Sequence, residues 1–194
     1  ISVSGAGAEA TNIILGSTTA YISESSINHY GDINVEARDS STIDATIVGV
    51  AFSFGPGIGA SIGAGVTQNL IGWKAATYGE KATSEPVEVK AYIQSSKVEA
   101  TGVLTIDAQS RQVITAKDWA IAVALSKSVE PGGAGSGAGA SAYNKVKVEV
   151  SAYASDNRKG IDLDRVIIKA KDDSEITAIA VGGSLAGSFA PQGG

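Results

Sequence analysis

Val87-Glu88-Val89-Lys90-Ala91-Tyr92-Ile93-Gln94 sets Val87, Val89, Ala91 and Ile93 on one side of an extended chain and polar or amphipathic residues on the other. That period of two is the mark of a strand with one buried face. Its Ala-Tyr-Ile centre returns in Ala20-Tyr21-Ile22-Ser23 and, with Ala for Ile, in Ala152-Tyr153-Ala154-Ser155, at spacings of 71 and 61 residues. Three occurrences at comparable spacing point to a repeated unit, which has to be recognised before any single strand is assigned.

The likeness extends in both directions. Downstream of each Ala-Tyr, past a short polar stretch, an alternating strand ends in alanine: Asp32 to Ala37, Leu104 to Ala108, and Val166 to Ala170. A polar turn and a second strand rich in Ile, Val and Ala come next, at Thr42 to Ser53, Gln112 to Ser126 and Glu175 to Ser188. Upstream lies a run of small residues closed by asparagine: Gly5 to Asn12, Gly57 to Asn69, and Gly132 to Asn144. Asn12 and Asn144 stand eight residues before their Ala-Tyr and Asn69 stands 22 before, so the middle copy carries an insertion spanning about 73–86. An excursion of that kind belongs on the surface of a repeated scaffold. The units are then about 1–55, 56–130 and 131–194, within one elongated segment.

The 194 residues include 20 Ile and 17 Val but 6 Leu and no Met, an excess of β-branched residues that favours strands. Gly, Ala and Ser dominate the remainder and aromatics are 6%. The fold class expected is all-β. Between a β-sandwich and a parallel β-helix, small side chains suit the narrow interior of a β-helix, and a unit of 60–70 residues is short for an immunoglobulin-like domain of about 100. Two or three coils per unit would give about nine coils and, at about 4.8 Å per rung, a rod of roughly 40–45 Å.

Several chemistries are excluded or weakened. With no cysteine there is no disulfide framework, thiol nucleophile or zinc knuckle. A net charge of −5, with scattered basic residues, argues against nucleic acid. The run from Ala45 to Trp73 has no charged residue, yet Gly55-Pro56-Gly57 interrupts it; a buried β segment is expected there and no transmembrane helix. The glycine-rich stretch Gly132 to Gly139 lacks both the Gly-Lys-Ser/Thr and the dinucleotide spacing. His29 falls in the stretch Ser26 to Gly31, which reads as a turn, with no matching partner in the other units, so no catalytic residue and no enzyme activity is expected. Calcium is the one cofactor with candidate ligands, Asp162, Asp164, Asp172 and Asp173, although neither the calcium-binding nonapeptide nor an EF-hand loop is present. Otherwise no cofactor is expected.

Two stretches suit contact with a partner. The insertion offers Trp73, Lys74, Tyr78 and Lys81, aromatics beside charges as at interface hot spots. The charged loop near residue 160 offers Arg158 and Lys159.

The succession of Gly-Ala-rich run, Asn, Ala-Tyr-Ile, Ser-rich turn, alternating strand ending in Ala, and second Ile/Val/Ala strand resembles the repeat region of very large secreted bacterial proteins, the filamentous-haemagglutinin-like and leukotoxin-type filamentous adhesins. The resemblance spans essentially the whole chain and implies a parallel β-helix serving as a stalk at or outside the cell surface. It implies no catalytic residues. The expected role is a structural, adhesive segment of a bacterial fibre, with host or neighbouring-cell glycans or proteins as partners. A second expectation is a secreted subunit stacking end to end, because Gly5 and Pro191-Gln192-Gly193-Gly194 fall at the same phase of the repeat. A third and weaker one is a β-helix that binds or cleaves polysaccharide.

Overall fold

The computed structural model describes residues 1–75, 83–127, 133–155 and 160–189. Their regular structure is all β. The first unit holds β1 (Ser2–Ile14), β2 (Ser17–Ser23), β3 (Ser26–His29) and β4 (Ile33–Pro56). The middle unit holds β5 (Gly59–Ile71), β6 (Trp73–Lys74), β7 (Thr83–Ser84), β8 (Val87–Gln94), β9 (Lys97–Ala100) and β10 (Val103–Lys127). The third holds β11 (Ala134–Val146), β12 (Val148–Ser155), β13 (Ile161–Asp162), β14 (Arg165–Asp172) and β15 (Glu175–Phe189).

Pairing runs between units. The sheets are β1-β5-β11, β2-β8-β12, β3-β9-β13, and β4-β10 with β14 and β15 together on the far side of β10, all parallel. Residues matched in the sequence are paired neighbours: Asn12, Asn69 and Asn144; Tyr21, Tyr92 and Tyr153; Ala37, Ala108 and Ala170. The expectation of about nine coils is corrected by this pairing. Each of the three stretches read as units adds one layer to each of these parallel sheets, which are therefore three layers deep. The reason is strand length, since β4 and β10 run for 24 and 25 residues and consume the chain that extra coils would need.

β6 and β7 form the antiparallel pair at the base of the insertion. Trp73 pairs with Ser84 and Lys74 with Thr83.

The interior has two parts. In the first, Val35, Ile43, Val87, Val89, Ile93, Val98, Leu104, Ile106 and Ile114 form one buried cluster. Each such side chain removed from water contributes about 1.5–3 kcal/mol. In the second, β1, β5 and β11 lie face to face with the later halves of β4 and β10 and with β15. Glycine sets that spacing. A Cβ on Gly49 would stand 2.4 Å from the Ala64 carbonyl oxygen, and one on Gly63 would stand 2.7 Å from that of Ile121.

The uncharged run from Ala45 to Trp73 is strand, turn and strand, turning at Gly57 with φ +89°. No helix among the described residues is long and apolar enough to cross a membrane. The expectation of a buried segment holds on one face only. Ala45, Ile47 and Ala51 are buried, whereas Val48, Val50, Phe52 and Phe54 point outward and are more than half exposed.

The Ser-rich corners repeat as well. Glu24 and Ser95, 71 residues apart, both adopt left-handed backbone, at φ 51° and 52°. Beside them Ser25 Oγ donates to the Ser23 carbonyl at 2.7 Å and Ser96 Oγ donates to that of Gln94 at 2.8 Å. Left-handed backbone costs a non-glycine residue about 1–2 kcal/mol, and glycine's added unfolded-state freedom returns about half of that. Glu24→Gly is therefore expected to stabilise the chain by about 0.5–1 kcal/mol. A urea midpoint that falls instead would show that the carboxylate, not the backbone, matters at this corner.

Candidate functional site

Strand register brings together residues that the sequence leaves far apart. Asn28, Glu99 and the loop around Asp162 are separated by more than 60 residues at each step, yet β3, β9 and β13 set Asn28 and Asp162 on either side of Glu99. They line an open recess of about 440 Å³ with His29, Tyr30, Thr101 and Asp164. Tyr30 is 86% exposed at its rim. Glu99 is engaged by Lys97 at 2.6 Å. The recess joins an aromatic ring to amide, imidazole and carboxylate groups, a set suited to hydrogen-bonding a polyhydroxylated ligand.

The calcium candidates divide. Asp162 and Asp164 lie at this recess, whereas Asp173 lines a second hollow of about 250 Å³ with Arg38, Arg111 and Lys171. Asp173 is paired with Lys171, and Asp172 accepts a hydrogen bond from Ser174 at 2.7 Å. Among the described residues no three carboxylate or imidazole groups converge as a metal site requires.

Of the proposed contact residues, Tyr78, Lys81, Arg158 and Lys159 lie outside the described residues. Trp73 folds back on the scaffold. It is half-buried, and the Lys145 ammonium lies 4.3 Å from its ring centroid, with that of Lys147 at 5.6 Å. Lys147 also donates to Ser84 Oγ at 3.0 Å, tying β7 to the third unit. Lys74 is exposed and paired with Glu85.

Three further features lie outside the residues that the sequence singles out as sites. The outward face of β4, β10 and β15 carries Val48, Val50, Phe52 and Phe54 beside Trp119, Ile121 and Leu185, all exposed. Alternation hides this face, because its inward neighbours are apolar too. The second feature is a stack of tyrosine rings. Tyr21 and Tyr92 lie 5.4 Å apart at 12° between planes, and Tyr92 and Tyr153 lie 5.0 Å apart at 3°. The ring spacing is close to that of neighbouring strands, so register alone produces the stack. The recurrence of Ala-Tyr is the sequence signal for it.

The third is an asparagine ladder inside the body. Asn12 Nδ2 donates to Asn69 Oδ1 and Asn69 Nδ2 donates to Asn144 Oδ1, each at 2.8 Å. Nearby, Asp118 is fully buried and its Oδ2 accepts from the backbone N–H and the hydroxyl of Thr67, at 3.1 and 2.9 Å. Lys90, beside the tyrosine stack, is bonded by Glu88 at 2.9 Å, which raises its pKa above the ordinary lysine value against an opposing desolvation. The stability it contributes is therefore complete at neutral pH and is lost only as pH rises through the lysine range.

No protein-family model, no curated protein and no solved structure matches this chain.

Proposed function

We propose that the chain is a non-catalytic structural and adhesive segment of a bacterial extracellular or cell-surface fibre, built as a β-solenoid with one 60–70-residue unit per turn. The observation that carries this reading is the in-register succession of like residues from unit to unit on every parallel sheet. Such a body stacks its units along one axis and leaves outward faces for contact. The exposed row of Val48, Val50, Phe52 and Phe54 is the surface best suited to contact with a protein partner. Gold-labelled antibody raised against residues 1–194 tests the reading on intact producing cells. Label on the outer surface and on projecting filaments is expected. Label that appears only after permeabilisation overturns it.

A second reading has one specific observation in its favour, the recess that joins Tyr30, His29, Asn28, Glu99 and Asp162. Stacking on an aromatic ring beside amide and carboxylate acceptors is the chemistry of glycan binding. On a glycan array the chain would bind a defined set of sugars and Tyr30→Ala would lose it. A blank array removes this reading, and release of reducing ends would convert it to cleavage.

A further inference from the structure

We propose that Tyr21, Tyr92 and Tyr153 form a site of oxidative modification, at which a haem peroxidase supplied with hydrogen peroxide joins Tyr92 to one of its neighbours as dityrosine and so staples one unit covalently to the next. Such a staple requires only the strand register and does not depend on the chain's being a fibre segment.

Parallel pairing of β2, β8 and β12 sets the three tyrosines at one register position, with Tyr92 between Tyr21 and Tyr153. Their side chains leave the sheet on its outer face, because Ala91 and Ile93 on either side of Tyr92 are fully buried. Tyr92 keeps part of its surface open with both neighbours in place, so its access to an oxidant does not depend on what lies beyond either end of the stack. The ring centroids are 5.4 and 5.0 Å apart, with planes at 12° and 3°.

A phenoxyl radical carries much of its unpaired spin on the carbons ortho to the oxygen, and two such radicals couple there on contact. Between dilute chains that encounter is bimolecular. In the stack the partners are already adjacent, an advantage equivalent to a very high effective concentration. Rotation of the rings about their own axes, a fast motion for side chains at the surface, turns the ortho carbons toward each other.

Each of the two phenols gives one electron and its hydroxyl proton to the peroxidase, and one hydrogen peroxide is reduced to two waters. A carbon–carbon bond forms between the ortho carbons, and the hydrogens they carried move to the phenol oxygens. The product has lost two hydrogen atoms.

With no cysteine in the sequence, a disulfide cannot link one unit to another, whereas three of the six tyrosines stand in this stack. Tyr30 supplies the comparison, since at 86% exposed it is more accessible than Tyr21 at 60% or Tyr153 at 36%. Exposure favours oxidation through Tyr30, and proximity favours coupling in the stack.

The purified chain is treated at low concentration with a haem peroxidase and limiting hydrogen peroxide, digested, and mapped by mass spectrometry. A monomeric product lighter by two hydrogens is expected, with dityrosine fluorescence and with the peptide of Tyr92 joined to that of Tyr21 or Tyr153. Tyr92→Phe keeps a stacking ring without a phenol and leaves Tyr21 and Tyr153 two strand spacings apart, about 9.6 Å, so the internal link is expected to fall at least about tenfold. Tyr30→Phe is expected to leave the link unchanged. The bond closes a loop of 71 or 61 residues in the unfolded chain, so the urea midpoint of the treated chain is expected to rise. Links formed mainly between chains through Tyr30 overturn the proposal, as do oxidised chains without joined peptides, an undiminished internal link in Tyr92→Phe, or a midpoint that does not rise.

Discussion

Gly72→Ala and Gly49→Ala are expected to abolish or nearly abolish folding, while alanine at Gly135, Gly137 or Gly139 leaves the chain as stable or slightly more so. At Gly72 two penalties coincide. The backbone sits at φ +74°, and a Cβ would stand 2.0 Å from the Lys147 carbonyl oxygen, a backbone atom that no rotamer can withdraw. The same stretch ties three units together, because the Gly72 N–H donates to the Ile14 carbonyl and the Lys147 N–H to that of Ile71. At Gly49 the backbone is not left-handed and sterics act alone, through the Ala64 oxygen at 2.4 Å. Relieving that overlap requires the facing sheets to separate, which forfeits packing along their whole shared length. Overpacking costs about 1–3 kcal/mol where neighbours can adjust and more where only backbone is available to move. Gly135, Gly137 and Gly139 have nothing within 4 Å of the added methyl. There alanine restricts the unfolded chain and gains about 0.4–1 kcal/mol. Urea unfolding of the five variants checks this. Equal losses at all five positions would mean that glycine content, not the close approach of the two sheets, governs stability.

That contrast also shows which part of the fold the sequence makes legible. The all-β class and the inter-unit alignment follow from side chains that alternate, because alternation reports which face a residue occupies. The 71-residue step from Ala37 to Ala108 is both a sequence spacing and a strand pairing. Alternation says nothing about which strand lies next door, so the number of layers comes out too high when it is reckoned from sequence. Nor does it operate where both faces are apolar, as from Ala45 to Phe54, and so the exposed row at Val48 to Phe54 reads as buried. The glycine-rich runs alternate only glycine with small residues, which does not say which glycines face another sheet, so the close approach at Gly49 and Gly63 emerges only when the sheets are opposed. The recess at Tyr30 is a product of register. His29 and Asp162 are each visible alone, but their company depends on β3 and β13 flanking β9.

Asn69→Leu is expected to cost about 2–4 kcal/mol, and Asn12→Leu or Asn144→Leu about half as much. Asn69 is the fully buried centre of the ladder, accepting from Asn12 and donating to Asn144, so its replacement leaves one donor and one acceptor without partners. Removal of an end residue breaks a single bond, and the groups exposed there lie nearer to water. Leucine keeps asparagine's branching and number of heavy atoms, so no cavity opens, and the bulk of its methyl groups adds an overpacking cost that is shared by every variant of the series. The triple variant Asn12→Leu/Asn69→Leu/Asn144→Leu separates the two contributions. With all three polar groups gone nothing is left unpartnered, and this chain is expected to be more stable than Asn69→Leu alone although it carries two more substitutions. Additive losses across the series would show that the three amides act independently. Urea midpoints of the three single variants and the triple variant check this.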